Sequence, residues 1–171
     1  MPLWFLRHGE SEANARGIYA GGGEDSPLTA NGLAQARRAI EKLPSDISWI
    51  VTSPLVRAYE TAAIIRDLLN RGIQLEVENR VAEYNMGAMS GMAYRDIATE
   101  EMVSQFGAED PRAFWLRVTA ALDELLQRDG TGLLVAHTGV ARVFVARRDG
   151  FSPFEFRRAP VPKNGVPFLM T

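Results

Sequence analysis

The chain has 171 residues, a length that suits one globular domain and leaves little room for two. Its formal net charge of -2 at pH 7 gives no chain-wide basic field for nucleic acid or an anionic membrane, so any affinity for an anion has to come from a local cluster of donors. The absence of cysteine excludes disulfides, thiolate catalysis and cysteine-ligated metals, and it fits a reducing compartment.

We expect no targeting or membrane-spanning segment in this sequence. The opening apolar run Leu3–Leu6 is too short for a signal peptide and meets Arg7 at once. No apolar stretch approaches the roughly 20 residues that cross a bilayer. We therefore expect a cytoplasmic protein, a monomer or homodimer, that forms a single domain over residues 1–171 and has no nucleic-acid or membrane partner.

Strand and helix patterns alternate along the chain, which predicts an α/β fold with a mainly parallel sheet. The predicted strands are 2–6, 49–52, 73–78, 132–136 and an edge strand within 165–169. The predicted helices are 30–42, 54 to about 72, 93–105, 111–128 and 139–147. Thr29 and Ser53 are the expected N-caps of the first two helices, with Pro54 at the first position of the second. Residues 79–92 are predicted to be an irregular loop.

The only two histidines, His8 and His137, each come just after a predicted strand. Ligands of open α/β sheets bind beyond the carboxyl ends of the strands, so the two imidazoles are expected to face one cleft. A lone histidine is more often structural than catalytic, but Gly9 and Gly139 follow closely, and glycine permits the backbone to approach a ligand. These local patterns leave the structural and the catalytic interpretation about equally favoured.

Two arginines lie where the same cleft is expected. Arg7 ends the first strand, and Arg57 follows Ser53-Pro54 within one helical turn. An arginine in such a position is usually a solvated charge or a salt-bridge partner. However, the planar guanidinium matches phosphate oxygens two at a time. Two arginines, two histidines and helix N-termini would form an anion pocket without a metal.

The run Leu6-Arg7-His8-Gly9-Glu10-Ser11, continuing to Asn14, resembles the signature of the histidine phosphatase superfamily. Other segments resemble the family's later motifs in the same order: Asp25–Thr29, Ser53–Ala58, Glu83 with Gly87 and Gly91, and Val135–Gly139. The resemblance covers residues 2 to about 145. It implies a three-layer α/β/α sandwich with a mainly parallel central sheet, of the phosphoglycerate mutase type.

The resemblance also implies a role for each matching residue. His8 is the implied nucleophile, and Glu83 is the implied general acid that protonates the leaving oxygen and then activates water. The groups implied to hold the phosphoryl oxygens are Arg7, Arg57, His137, Asn14 and the backbone amide of Thr138 or Gly139. No metal or cofactor is implied. A histidine nucleophile has to be neutral, so we expect guanidinium groups to lower the pKa of His8 and the Gly9 carbonyl to hold its second nitrogen.

Among the activities of this superfamily, hydrolysis of a small phosphomonoester is favoured over mutase chemistry. Mutases of the superfamily carry an insertion with basic residues between the acid and the second histidine, whereas here that segment is short. The candidates in that segment are Arg95, Arg112 and Arg117, and the last two are predicted to be helix-surface charges. Phosphoglycerate mutase-type transfer and a non-catalytic phosphate-binding regulatory relative stay open as alternatives. Residues 3–29 most resemble the α-ribazole phosphatase branch.

Overall fold

A computed structural model describes residues 2–170, which are built around one five-stranded sheet. The strands are β1 (Leu3–Arg7), β2 (Ile47–Thr52), β3 (Leu75–Val77), β4 (Thr131–Ala136) and β5 (Pro167–Met170). Their order is β3-β2-β4-β1-β5, and the first four are mutually parallel. β5 runs antiparallel to β1 at one edge. This is the mainly parallel sheet that the alternating sequence pattern predicts.

Helices cover both faces of this sheet. The α-helices are α1 (Glu12–Arg16), α2 (Ala30–Ala39), α3 (Val56–Leu69), α4 (Thr99–Phe106), α5 (Pro111–Leu126) and α6 (Thr138–Arg148). Short 3-10 helices form at Ile40–Lys42, Asn79–Val81, Gly87–Met89 and Pro153–Arg158. No helix within residues 2–170 has the length and apolar character needed to cross a membrane.

The core is divided in two by the sheet because successive strand residues point to opposite faces. Phe5 and Leu134 belong to a cluster that includes buried residues of α4, α5 and α6. Leu6 and Leu133, their neighbours in sequence, belong to a second cluster that includes residues of α2 and α3. The three-layer α/β/α sandwich is therefore confirmed.

Two helix starts differ from the predictions. The helix after β2 begins at Val56 with Leu55 as its N-cap residue, so the expectations that Ser53 caps it and that Pro54 is its first residue are wrong. The predicted helix 93–105 forms only from Thr99. The residues before it form no helix, and Ala93 pairs with Ile18 in an isolated antiparallel bridge.

The tail after α6 returns to the sheet. The predicted edge strand is present as β5, shifted to Pro167–Met170. Just before it, the Gly165 amide donates a hydrogen bond to the carbonyl of Arg7 (3.0 Å), and the Asn164 side chain donates to the carbonyl of His8 (2.8 Å). The tail thus fixes the end of β1, the point at which the first histidine follows the strand.

Candidate active site

His8 leaves the end of β1 as a buried side chain with one ring nitrogen fixed. Its backbone amide extends the ladder to β4 by donating to the carbonyl of Ala136 (3.1 Å). Its Nδ1 donates to the carbonyl of Gly9 (2.6 Å), as expected from the sequence, which makes Nε2 the nitrogen without a proton in the neutral ring. Within residues 2–170, Nε2 makes no hydrogen bond.

Gly9 is needed at this position because the backbone of α2 approaches it closely. A Cβ atom at Gly9 would lie 2.3 Å from the carbonyl oxygen of Gly32, a distance at which the backbone would have to move. The Gly9 amide donates to the Thr61 hydroxyl of α3 (3.1 Å). The carbonyl that orients His8 is therefore held between α2 and α3.

His137 occupies the corresponding place after β4 and is fully buried. Its ring centroid lies 5.1 Å from that of His8, so the two imidazoles lie side by side at the ends of neighbouring strands. Its Nε2 is 2.7 Å from the hydroxyl of Ser53, which follows β2. Its Nδ1 is buried and has no partner within residues 2–170. Ser53, expected to cap a helix, thus orients the second histidine instead.

Burial and neighbouring cations act on both imidazoles in the same direction. Removal from water lowers the pKa of His8 well below its usual value of 6.5, and the positive charges of Arg57 and Arg7 lower it further. Burial is also the main reason why the pKa of His137 is lowered, followed by the charge of Arg57. Both rings are therefore neutral at neutral pH, the state in which a histidine can act as a nucleophile.

Arg57 is buried on the first turn of α3 and is held by backbone oxygens. Its Nη1 donates to the carbonyl of Glu24 (3.1 Å) and its Nη2 to that of Gly21 (2.7 Å). The nearest carboxylate, that of Asp25, lies 3.8 Å from Nη1. Because carbonyls hold the guanidinium without neutralising it, its charge acts on both histidines.

Arg7 and Asn14 are fixed at the same cavity as His8, which both side chains line. Arg7 Nη1 donates to the carbonyl of Pro162 in the tail (2.9 Å), whereas its buried Nε has no partner within residues 2–170. The Asn14 amide oxygen accepts from the backbone of Ser11 (3.2 Å), and its amide nitrogen lies 3.4 Å from the Tyr94 hydroxyl. The two side chains are thus oriented before any ligand binds.

Glu83 lies opposite the start of α6 and is bound by it. Both carboxylate oxygens accept from the Gly139 amide (3.1 and 3.2 Å), and one also accepts from the Tyr84 amide (2.8 Å). A Cβ atom at Gly139 would lie 2.2 Å from Glu83 Oε1, so a larger residue there would displace the carboxylate. The Gly139 amide thus holds the acid here, and its assignment to phosphate, like that of Thr138, stays a prediction.

Arg117 holds the backbone of the loop that carries Glu83 through hydrogen bonds. The prediction that Arg117 is a helix-surface charge is therefore wrong. Its guanidinium donates to the carbonyls of Arg80 (2.7 Å), Ala82 (2.8 Å) and Glu83 (3.3 Å). It is paired with Glu109 at 2.7 Å. The sequence spacing within α5 could not predict these contacts, because spacing does not show which loop packs against a helix.

These groups surround a cavity of about 450 Å³, within the usual range for small-molecule sites. All the predicted site residues line it except His137, which is fully buried next to His8. The rest of the lining consists of Tyr19, Ala20, Gly21, Tyr84, Met86, Tyr94, Arg142, Phe156, Arg157 and Val161. Arg142 could have been found from its spacing, since it lies one helical turn beyond Thr138. Within residues 2–170 there is no cluster of three or more His, Cys, Asp or Glu side chains that could hold a metal.

The chain belongs to the histidine phosphatase superfamily (branch 1), whose family model matches residues 3–167. It is 30% identical over 166 residues to the adenosylcobalamin/alpha-ribazole phosphatase of Escherichia coli strain K12, covering 88% of this chain and 80% of that protein. It is 28% identical over 150 residues to the 2,3-bisphosphoglycerate-dependent phosphoglycerate mutase of Thermoplasma acidophilum, covering 82% and 72% of the two chains.

The fold is similar to that of a solved relative. The crystal structure of TTHB049 from Thermus thermophilus superimposes with a TM-score of 0.74 at 30% sequence identity, covering 99% of this chain and 92% of that one. The named relatives thus include a phosphatase and a mutase. Family membership supports a phosphatase, and the particular reaction has to be argued from the site.

Proposed function

We propose that this protein is a metal-independent phosphomonoesterase that hydrolyses a small phosphorylated metabolite through a phosphohistidine on His8. One observation carries the proposal: Nδ1 of His8 is fixed on the Gly9 carbonyl, and its other nitrogen has no hydrogen bond within residues 2–170 and is influenced by the charges of Arg57 and Arg7. A neutral imidazole held in this tautomer has its lone pair on Nε2, the atom that would attack phosphorus.

Two of the side chains proposed to bind the phosphoryl oxygens each have a buried nitrogen that could bind an anion. Arg7 Nε and His137 Nδ1 are buried without a hydrogen-bond partner in residues 2–170. A buried polar atom left unpaired costs about 1–3 kcal/mol, which a bound phosphoryl oxygen would relieve. With Arg57, Asn14 and the start of α6, these donors would surround the charge that spreads over the equatorial oxygens during transfer.

The proposed reaction proceeds in two displacements. His8 Nε2 forms a bond to phosphorus as the ester P–O bond breaks, and Glu83 gives its proton to the departing alcohol. Glu83, now a carboxylate, then takes a proton from water while the water oxygen attacks phosphorus and the N–P bond breaks. The products are the alcohol and inorganic phosphate, and His8 and Glu83 return to their starting states.

Hydrolysis is proposed rather than intermolecular transfer because the basic residues between Glu83 and the second histidine are engaged elsewhere. The guanidinium of Arg95 lies over the ring of Phe106 at 5.1 Å from the ring centroid. Arg112 lies over the ring of Phe154 at 5.2 Å. Neither lines the cavity, so they do not close it over a phosphorylated intermediate.

The proposal is tested with p-nitrophenyl phosphate, measured with and without EDTA. The wild-type protein should release phosphate at the same rate in both conditions, and an acid-labile, alkali-stable phosphoenzyme should accumulate on rapid quenching. His8→Ala should show neither, whereas Arg38→Ala, an exposed change on α2, should behave as wild type. Activity of His8→Ala within tenfold of wild type would contradict the nucleophile, and strong inhibition by EDTA would contradict metal independence.

A further inference from the structure

Arg117 uses every donor of its guanidinium group on two partners, the carboxylate of Glu109 and the loop that carries Glu83. Its Nε and Nη2 donate to the two oxygens of Glu109 (2.7 and 2.9 Å). Its Nη1 donates to the carbonyls of Arg80 and Ala82, and its Nη2 also donates to that of Glu83. An arginine has five N–H donors in one rigid plane, so the guanidinium fixes three successive parts of the loop relative to one another.

Glu109 continues this attachment on the other side of Glu83. Its Oε2 accepts from the amide of Asn85 (3.2 Å), and its own amide donates to the Asn85 carbonyl (2.8 Å). Its carbonyl accepts from the Tyr84 hydroxyl. The side chains of the Arg117–Glu109 pair are only 25% and 17% exposed, so solvent and salt screen the pair less than a surface pair. The backbone before and after Glu83 is therefore bound to one partly buried ion pair.

The carboxylate end of Glu83 is fixed separately, by the amides of Gly139 and Tyr84. The buried ring of Phe114 lies between the two attachments. The guanidinium of Arg117 lies 4.6 Å from the centroid of this ring, and the ring edge is 3.0 Å from the position that a Cβ atom at Gly139 would take. Both ends of the Glu83 side chain are thus set by α5 and α6 before a substrate binds.

Arg117 itself is remote from the reacting atoms. It is not among the side chains of residues 2–170 that line the cavity, and its five donors are all engaged. Any effect that it has on the reaction has to pass through Glu83. A general acid has to lie within hydrogen-bond reach of the leaving oxygen, and a misplacement of about 1 Å can cost about 100-fold in rate.

We infer that Arg117 is the positioning residue of the general acid: it holds the Glu83 loop at the height from which the carboxyl reaches the leaving oxygen, and it takes no part in binding phosphate. The inference rests on the proposed role of Glu83 and adds a residue to it. Lysine cannot replace Arg117 in this role, because a single ammonium nitrogen with three donors cannot bind a carboxylate and three carbonyls together.

Two aryl phosphates of similar shape, phenyl phosphate and p-nitrophenyl phosphate, test the inference. Phenolate is the poorer leaving group, so its departure depends more on a proton from the acid. Rapid quenching measures the rate of phosphoenzyme formation from each substrate. Arg117→Lys should slow this step about 10- to 100-fold with phenyl phosphate and less than about threefold with p-nitrophenyl phosphate. The ratio of the two rates within one preparation does not depend on the fraction of folded protein, so lower stability alone cannot change it.

Arg147→Lys is the matched control for this substitution. Arg147 is an exposed helical arginine that pairs with one carboxylate, that of Asp123 (2.6 Å). The rate ratio of this variant should equal that of the wild type. Glu83→Gln should change the ratio in the same direction as Arg117→Lys and by a larger factor. In the double variant the ratio should be that of Glu83→Gln alone, because Arg117 acts through the carboxyl that is already missing.

Amide hydrogen exchange provides a readout that needs no turnover. The amides of Gly139 and Tyr84 both donate to the Glu83 carboxylate. If Arg117 fixes that carboxylate, both amides should exchange about tenfold faster in Arg117→Lys and at the wild-type rate in Arg147→Lys. This result would support the positioning role even if the nucleophile were not His8.

The rate ratios distinguish failure of this inference from failure of the proposed function. A changed ratio in Glu83→Gln with a wild-type ratio in Arg117→Lys would overturn the inference and leave the proposed function intact. An equal slowing of both substrates in Arg117→Lys would also overturn it, since a purely structural role has that effect. A wild-type ratio in Glu83→Gln would contradict the proposed acid and the inference together.

Discussion

The ends of β1 and β4 present the same residue in nearly the same surroundings, yet their histidines are held in different ways. Both imidazoles are buried, and burial and the same arginines lower the pKa of both. His8 is bound by a backbone carbonyl through Nδ1, whereas His137 is bound by the Ser53 hydroxyl through Nε2. The hydrogen-bond partner, rather than the burial or the charge, distinguishes the two sites.

The different hydrogen-bond partners favour different roles for His8 and His137. A backbone carbonyl can only accept, so it fixes the proton on Nδ1 of His8 and leaves the lone pair on Nε2. A hydroxyl can donate or accept, so Ser53 permits His137 to place a proton on Nδ1, the atom that has no partner within residues 2–170. His8 is thereby suited to attack, and His137 to donate a hydrogen bond to a phosphoryl oxygen.

The largest expected effect is a difference in activity between variants of the two histidines that follow β1 and β4. His8→Asn should abolish both turnover and the phosphoenzyme. His137→Asn should lower kcat/KM about 100- to 1000-fold, the usual effect of losing one donor to a developing charge, and should still form a phosphoenzyme. Rapid-quench labelling of both proteins provides the measurement. A phosphoenzyme on His8→Asn, or none on His137→Asn at long reaction times, would reverse the assignment.

A smaller effect concerns Glu83, which the start of α6 holds through the Gly139 amide. Glu83→Gln should lower kcat about 100-fold or more on alkyl phosphates, whose leaving groups need a proton. The loss should be much smaller on p-nitrophenyl phosphate, whose leaving group departs without one. The two rates are compared in the same protein preparation, with Glu12→Gln on the exposed surface as the control. Equal losses on the two substrate classes would argue against a role in protonation.

The smallest effect should be shared by the two histidines and concerns the free energy of unfolding. Because both pKa values are lower in the folded state, the unfolded chain binds more protons below pH 6.5. Stability should be constant with respect to these groups above about pH 7.5 and should fall as the pH is lowered from about 6.5 to 5. The expected slope is up to about 1.4 kcal/mol per pH unit for each histidine.

Urea unfolding at a series of pH values measures this slope. His8→Asn and His137→Asn should each remove about half of it, which would show that the two ends of the sheet differ in role but not in environment. A stability that stays level or rises as the pH falls from 6.5 to 5 would contradict the neutral, buried state of both rings.

The sequence by itself determined the parts of this protein that depend on local pattern. Apolar runs and helical spacing predicted the parallel sheet. The glycine that closely follows each histidine indicated that the backbone can approach a ligand there. Motif order identified His8, Arg7, Arg57 and Glu83 as members of one site, and the structure places their side chains around one cavity. Such features can be read from the sequence because they involve neighbours in the chain or residues at strand ends, where topology brings side chains together.

Only the tertiary structure decided which partner each of these groups has. Ser53 orients His137 across 84 positions, Arg117 supports the Glu83 loop from α5, and the tail fixes the end of β1. Arg142 and Arg157 meet in the same cavity although one lies on a helix and the other in the tail. No sequence pattern encodes these contacts, because the packing of separate elements sets them rather than the spacing along any one element.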